Sequence, residues 1–180
     1  KDSTLVMFIS DNGMALPFSK TNCYLNNTKT PWIVRWPGIT RPGSVDSTHF
    51  ISGIDFMPTV LDAAGIKQPR GIDGFSFLPL LKGGSQENRK MVFTQFHETS
   101  AGKRFPMRCV QNAKYGYIFN PWSDGARVFQ NESQSGRSFK AMQEAAPADE
   151  KVSARVSFFL HRSVEELYDF EKDPDALNNL

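Results

Sequence analysis

The residues best suited to chemistry stand together at the end of a short apolar run near the start of the chain. The run, residues 3–9, is β-branched and nearly continuous, which is typical of a strand buried on both faces of an α/β sheet. Asp11 and Asn12 follow it directly, and Gly13 allows a sharp turn because it has no Cβ. Ligands bind beyond the carboxyl ends of such strands. We therefore expect Asp11 and Asn12 to offer two oxygen ligands to a hard cation such as Ca²⁺ or Mg²⁺.

A hairpin turn is the alternative interpretation of Asn12-Gly13, because this dipeptide is the strongest short hairpin signal. Residues 14–20, however, do not alternate like a returning strand. Pro17 within them also opposes a strand, since proline has no N–H to donate. The sequence after the dipeptide thus favours the ligand interpretation.

Length and composition set broad bounds on the protein class. The 180 residues can form one large domain or two small ones, and 39% hydrophobic with 22% charged residues is ordinary for a soluble globular protein. A net charge of +2 is too small to indicate nucleic acid or an anionic membrane surface as partner. No membrane-spanning run or signal peptide is visible, and the start at Lys1-Asp2 predicts a piece of a longer protein.

The elements that must position Asp11 and Asn12 are predicted over residues 1–84. A second buried strand covers 31–36, a polar loop with Lys20 precedes it, and a helix covers 50–65. Apolar residues at three- and four-residue spacing place one face of that helix in the core: Ile51, Ile54, Met57, Leu61 and Ala64. A glycine- and proline-rich segment, 70–84, is predicted to cover the sheet edge and to end the first domain.

Residues 85–180 are predicted to form a second domain, a small α+β subdomain with an antiparallel sheet. The predicted strands are 91–96, 107–110, 115–119 and 166–170, and the predicted helices are 138–145 and 153–163. The chain as a whole is therefore predicted to be α/β: the end of a mixed-sheet domain followed by this subdomain.

Six segments along the chain carry a family pattern when they are taken in order. They are Ile9–Gly13, Pro31–Gly38, Ile54–Ile66, Asp73–Ser76 with Leu78–Leu81, Phe105–Arg108 with Lys114-Tyr115, and Glu166–Asp169 with Asp173-Pro174. Together they resemble the C-terminal half of the sulfatase family, and the resemblance implies an alkaline-phosphatase-like mixed sheet. One position departs from the family: Ala176 stands two residues after Asp173-Pro174, where the family usually has a glutamate.

Within the family, the sequence is most similar to the heparan N-sulfatase (sulfamidase) branch. Residues 16–22, Leu-Pro-Phe-Ser-Lys-Thr-Asn, resemble its loop, where many O-sulfatases have a glycine-rich one. Phe96-His97-Glu98 and Phe105–Arg108 have counterparts there too.

The resemblance implies roles for three residues. Asp11 and Asn12 would complete an oxygen shell around Ca²⁺, with Mg²⁺ as the alternative ion, and further carboxylates would come from earlier in the parent protein. Lys20 stands where the family places a cation on the sulfate oxygens, so it would bind substrate and serve catalysis. An ammonium group stabilises charge developing on a transferring sulfuryl group. In isolation, Lys20 would be read as a solvated loop lysine.

His97 and Glu98 are predicted to line the substrate pocket, because they follow a strand end and resemble sulfamidase residues. A surface or core histidine at a strand end is the alternative, and the His-Glu-x-x-His spacing of a zinc site is absent.

The family's nucleophile, a formylglycine made within Cys-x-Pro/Ala-x-Arg, has no counterpart in this chain. Neither Cys23 nor Cys109 is followed by that pattern, and both are interpreted as small, largely buried residues. The parent protein is therefore predicted to be a sulfatase, and the isolated chain is predicted to be inactive.

The function predicted from this resemblance is calcium-dependent hydrolysis of an N- or O-sulfated sugar or glycosaminoglycan such as heparan sulfate, with homo-oligomerisation left open. The family implies an exported, periplasmic or lysosomal protein. One alternative is a phospho- or phosphonoester hydrolase of the alkaline phosphatase superfamily, although Asn12 in place of a histidine favours a hard cation. Another is a non-catalytic sugar-binding or dimerisation module.

Overall fold

The computed structural model describes residues 2–87 and 89–180. The described chain divides into two compact units. The first contains the residues up to Ile9 and Trp32–Val92, and the second contains Ser10–Pro31 and Phe93–Leu180. The loop that carries Asp11, Asn12 and Lys20 thus belongs to the second unit.

The helices and strands follow one another in a mixed order. Along the chain they are β1 (Val6–Ile9), α1 (Leu25–Thr28), β2 (Trp32–Arg35), α2 (Phe56–Ala63), α3 (Leu78–Leu81), β3 (Val92–Glu98), β4 (Arg104–Gln111), β5 (Tyr115–Phe119), α4 (Arg137–Ala145), α5 (Glu150–Leu160) and β6 (Glu165–Asp169). Each of the predicted strands and long helices is present, and most ends differ by three residues or fewer. The helix predicted over 50–65 is shorter: it begins at Phe56, after a 3₁₀ turn at Gly53–Asp55. The helices α1 and α3 were not predicted.

The two strands of the first unit form an antiparallel pair, with Val6 opposite Arg35 and Ile9 opposite Trp32. The prediction that these strands are buried on both faces is wrong for the described residues, because Phe8 is 65% and Ile33 is 60% exposed. Alternate residues face an open apolar groove, where Leu5 and Met7 lie with side chains of α2, including Phe56 and Val60. One face of this two-stranded sheet thus lies towards α2, and the side chains of Phe8 and Ile33 on the other face are exposed.

The buried face of the helical segment 53–63, which contains α2, also differs from the prediction. Ile54 and Met57 are exposed, whereas Asp55 and Thr59 are fully buried. The Asp55 carboxylate accepts hydrogen bonds from the backbone N–H groups of Ser52 and Phe75, at 2.7 and 2.8 Å, and it pairs with Arg89. A buried carboxylate needs such partners. Because Asp55 has them, this polar residue is buried at the start of the helix in place of its apolar neighbours.

The second unit contains a four-stranded sheet in the order β3-β4-β5-β6. β5 is antiparallel to both neighbours, with Ile118 opposite Cys109 on β4 and opposite Glu166 on β6. The helices α4 and α5 contribute Phe139 and Phe159 to the core of this unit, which also holds the start of α1. None of the helices within residues 2–87 and 89–180 is long and apolar enough to cross a membrane.

Candidate active site

Asp11 and Asn12 lie just beyond the end of β1, Asp11 exposed and Asn12 half-buried. The Asn12 N–H donates to Asp11 Oδ1 at 2.9 Å, and Asn12 Nδ2 donates to the Gly13 carbonyl at 3.0 Å. The Ser10 hydroxyl donates to the Asn12 carbonyl at 2.9 Å. Within the described residues, Asp11 Oδ2 and Asn12 Oδ1 accept no hydrogen bond. One carboxylate oxygen and one carboxamide oxygen are therefore free to bind a cation.

The chain does not form a hairpin at Asn12-Gly13. Instead of returning as a strand, it continues through a loop, and the Gly13 N–H donates to the Asn27 carbonyl at 3.0 Å. A Cβ at position 13 would lie 2.0 Å from the Asn26 carbonyl oxygen and 2.4 Å from Ser19 Oγ. Glycine is required here because another segment of the loop packs directly on its Cα.

Lys20 is held on the same loop by its backbone and by an ion pair. Its N–H donates to the Met14 carbonyl at 3.0 Å, which ties Lys20 to a position two residues past Asn12. Its Nζ lies 3.4 Å from Glu132 Oε1, and 40% of the lysine side chain is exposed. Asn131, beside that glutamate, donates from Nδ2 to Thr21 Oγ1 at 2.7 Å. The ammonium group is thus accessible but paired, unlike a freely solvated lysine.

A buried polar network lies beneath this loop, and sequence reasoning did not identify it. The Tyr24 hydroxyl accepts a hydrogen bond from Arg162 at 2.6 Å and donates to Glu166 Oε2 at 2.7 Å. Glu166 also accepts hydrogen bonds from Tyr168 and Asn120, both at 2.7 Å. Burial raises the pKa of the Tyr24 hydroxyl far above its ordinary value, and Glu166 raises it further while Arg162 opposes the shift. The tyrosine therefore stays protonated and links the two buried charges.

His97 and Glu98 lie at the end of β3, and both are exposed. Glu98 pairs with Arg104 at 3.4 Å on the surface. In the described part of the chain, no hydrogen bond or ion pair joins His97 or Glu98 to the loop that carries Lys20. Their role in substrate binding stays a prediction.

The two cysteines are buried and unpaired, Cys23 before α1 and Cys109 on β4. Burial raises the pKa of the Cys23 thiol to about 12, and the nearby Cys109 raises it too. Burial likewise raises the pKa of Cys109 to about 11. Because the thiolate is the reactive form of cysteine, we expect both buried thiols to react slowly at neutral pH.

Asp11 and Asn12 have the chemistry of calcium ligands but supply only part of a shell. Calcium takes six to eight oxygen ligands, mostly from carboxylates, carbonyls and water. Among residues 2–87 and 89–180, no group of three or more acidic, histidine or cysteine side chains is placed to hold a metal ion. These two residues therefore fit a hard cation only as part of a larger set of ligands.

The sequence matches a protein family over most of the region just described. Residues 16–133 match the family described as N-sulphoglucosamine sulphohydrolase, C-terminal. The matched region includes Lys20, His97, Glu98 and Glu132, and begins just after Asn12.

Two curated relatives align with nearly the whole chain. An ulvan-active sulfatase from Formosa agariphila is 30% identical over 99% of this chain and 33% of its own length. Human N-sulphoglucosamine sulphohydrolase is 26% identical over 99% of this chain and 38% of its own length. The chain thus spans about a third of the length of these relatives.

A solved structure shares the fold. BT4656, determined in complex with its substrate D-glucosamine-2-N,6-O-disulfate, superposes with a TM-score of 0.66 over 99% of this chain and 30% of that chain, at 22% identity. This likeness confirms the predicted α/β fold class.

Proposed function

Because the chain belongs to the sulfatase family, through its match to the C-terminal region of N-sulphoglucosamine sulphohydrolases, we propose that it supplies part of the active site of a sulfatase. The proposal rests on the side chains that the Ser10–Pro31 loop brings together. The loop presents two unpaired oxygens, on Asp11 and Asn12, and the ammonium group of Lys20 on one hydrogen-bonded segment.

Asp11 and Asn12 are the residues we assign to Ca²⁺, with Mg²⁺ as the alternative ion. Their free oxygens are hard donors, which suit these ions and not softer transition metals. When bound, the ion supplies fixed positive charge beside the group that is transferred. The remaining ligands would come from residues outside this chain.

Lys20 is the residue we assign to the sulfate oxygens. Negative charge builds up on the sulfuryl group as its bond to the sugar breaks, and a nearby ammonium group stabilises that charge. Its partial exposure leaves the ammonium group accessible to a ligand. The lysine acts by its charge.

The nucleophile is proposed to lie outside this chain, since the buried, protonated thiols of Cys23 and Cys109 are unsuited to the role. We therefore expect the isolated chain to release no sulfate. The activity requires the rest of a protein about three times as long, as in the relatives.

A sulfated sugar is the substrate class we propose, with N-sulfated glucosamine as the first candidate. The family description and the human relative both name N-sulphoglucosamine. The ulvan-active sulfatase is named for a different substrate, ulvan. An O-sulfated sugar is therefore kept as the second candidate to be tested.

The test is a calcium titration by calorimetry together with a sulfate-release assay, both on the full-length protein. We would compare the wild type with Asp11→Asn and Lys20→Ala. The controls are Asp73→Asn, an exposed carboxylate without a hydrogen bond within the described residues, and Lys29→Ala, an exposed lysine of the same loop. Substrates are N-sulfated glucosamine, a 6-O-sulfated glucosamine and a phosphonate monoester.

We expect Asp11→Asn to weaken calcium binding and turnover together, and Lys20→Ala to lower turnover with calcium binding retained. The two controls should match the wild type. Unchanged calcium binding and turnover in Asp11→Asn would overturn the metal assignment. Preferred turnover of the phosphonate monoester would overturn the sulfatase assignment in favour of the phosphonoester alternative.

A further inference from the structure

The backbone around Lys20 has a conformation that its residues do not favour. Phe18 and Thr21 have φ angles of +60° and +64°, in the left-handed region. This region is unfavourable for residues with a Cβ, and most of all for a β-branched residue such as threonine. Such strain persists only where the surroundings hold it. Lys20 therefore lies between two strained residues, and something must fix the turn.

The side chain of Asn22 closes this turn. Its Nδ2 donates two hydrogen bonds, to the Ser19 carbonyl at 3.1 Å and to the Lys20 carbonyl at 3.0 Å. Asn22 is 2% exposed, so water does not compete for these bonds. The carbonyl of Lys20 is thus held directly by a buried amide.

Arg162 fixes the orientation of that amide. One terminal nitrogen of Arg162 donates to Asn22 Oδ1 at 2.9 Å. Because a guanidinium can only donate and a carbonyl can only accept, only one orientation of the Asn22 amide satisfies all three of its hydrogen bonds. The orientation is therefore dictated by its partners.

The guanidinium of Arg162 is itself buried and has a partner on each of its nitrogens. It is 3% exposed, its Nε donates to the Phe159 carbonyl at 3.0 Å, and its other terminal nitrogen donates to Tyr24. The rings of Phe18 and Phe129 lie 4.9 and 5.0 Å from its Cζ. Because these partners contact the planar guanidinium from several directions, its orientation is fixed. Arg162 therefore holds the Asn22 amide in one position relative to the core.

We infer that Asn22, oriented by Arg162, is a positioning residue that sets the place of Lys20 in the active site. This inference rests on the proposed function, in which Lys20 binds the sulfate oxygens. Asn22 acts through the Lys20 backbone and does not itself bind substrate. A displaced charge stabilises the transferring group less well, because such stabilisation depends on geometry fixed in advance.

The test is a double-mutant cycle on the full-length protein, measuring kcat/KM for the sulfated sugar and the melting temperature. Asn22→Ala removes both hydrogen bonds from the Asn22 amide to the turn. Asn22→Asp keeps an acceptor for Arg162 but places a carboxylate against the two carbonyls, so it is the second variant if the first folds poorly. Asn120→Ala is the matched control, because Asn120 is an equally buried asparagine that bonds Glu166 and the Ser163 carbonyl instead.

We expect Asn22→Ala and Asn22→Asp each to lower kcat/KM by about ten- to a hundred-fold when Lys20 is present. In the Lys20→Ala background the same changes should lower it less than about two-fold, since the group they position is gone. Asn120→Ala should lower the melting temperature without this dependence on Lys20. Equal losses in both backgrounds would overturn the positioning role alone. A wild-type kcat/KM in Lys20→Ala itself would overturn the proposed role of Lys20, and this inference with it.

Discussion

Lys20 Nζ lies 3.4 Å from Glu132 Oε1, and the side chains of both residues are partly exposed. The carboxylate reaches the lysine from the short 3₁₀ turn Glu132–Ser135. This pairing has a consequence for ligand binding. An anionic group that binds Lys20 must displace or outcompete the Glu132 carboxylate.

Removal of that competing charge should therefore tighten substrate binding. For Glu132→Gln in the full-length protein, we expect KM for the sulfated sugar to fall by about 1.4- to five-fold, the range set by the ~0.2–1 kcal/mol of an exposed ion pair. The turnover number should change little, because the ammonium group stays in place. Steady-state kinetics at two salt concentrations would check this, with a smaller effect expected at the higher one.

Glu144→Gln is the control for net charge, since Glu144 is an exposed glutamate on α4. It should leave KM unchanged. A rise in KM for Glu132→Gln would contradict the competition and would indicate instead that Glu132 orients Lys20 towards the substrate.

Gly13 provides a steric test of the metal assignment. For Gly13→Ala we expect weakened calcium binding, because the new Cβ would fall 2.0 Å from the Asn26 carbonyl oxygen and force the loop beside Asp11 and Asn12 to move. Overpacking of this kind costs about 1–3 kcal/mol, so the melting temperature should also drop. Calorimetry and thermal unfolding of the full-length protein would measure both effects.

Gly53→Ala is the matched control, because a Cβ there would meet no heavy atom within 4 Å. It should leave calcium affinity and melting temperature close to the wild-type values. If Gly13→Ala binds calcium as tightly as the wild type, the metal ligands do not depend on the geometry of this loop.

The local pattern of the sequence was sufficient to predict most elements of the fold. Strand β5 and its neighbours follow apolar alternation, and the turn between β4 and β5 forms where Asn112 accepts the N–H groups of Lys114 and Tyr115. These features depend on residues close together in the chain, so a single sequence contains the information.

Burial and the polar network beneath the candidate site could not be predicted in this way. The spacing of Ile54 and Met57 identifies an apolar face of the predicted helix but not what covers it, and both side chains are exposed. Asn22 and Arg162 are 140 residues apart in sequence, and no local pattern marks either as a partner of the other. Lys20 was predicted only because its loop resembles that of a known family.

A substitution of Tyr24 tests how much that network contributes to the free energy of unfolding. Tyr24→Phe removes the hydroxyl between Arg162 and Glu166 and leaves a buried guanidinium N–H without its acceptor. We expect a loss of about 1–3 kcal/mol in stability, the cost of one unsatisfied buried group. Thermal unfolding should show a lower melting temperature. In the control Tyr117→Phe, which loses an exposed hydrogen bond to Glu165, the change should stay within about 0.5 kcal/mol. Equal decreases in melting temperature for the two variants would contradict the larger contribution expected of the buried network.

The thiol of Cys23 provides a test of the core that requires no substitution. Its pKa is raised to about 12 by burial and by the nearby Cys109, so iodoacetamide should label it far more slowly than a free thiol between pH 7 and 9. The pKa of this thiol is higher in the folded state than in the unfolded state, so folding favours the protonated form. Its contribution to the free energy of unfolding is therefore complete below about pH 9 and is lost as the pH rises towards 12. The folded protein would be labelled with iodoacetamide, then unfolded and labelled with an isotopic form of the reagent. The ratio of the two labels in the tryptic peptide 21–29 would give the labelling rate of Cys23. Free cysteine in the same denaturant is the control. Rapid labelling of Cys23 at pH 8 in the folded protein would contradict its place in the core beneath the Lys20 loop.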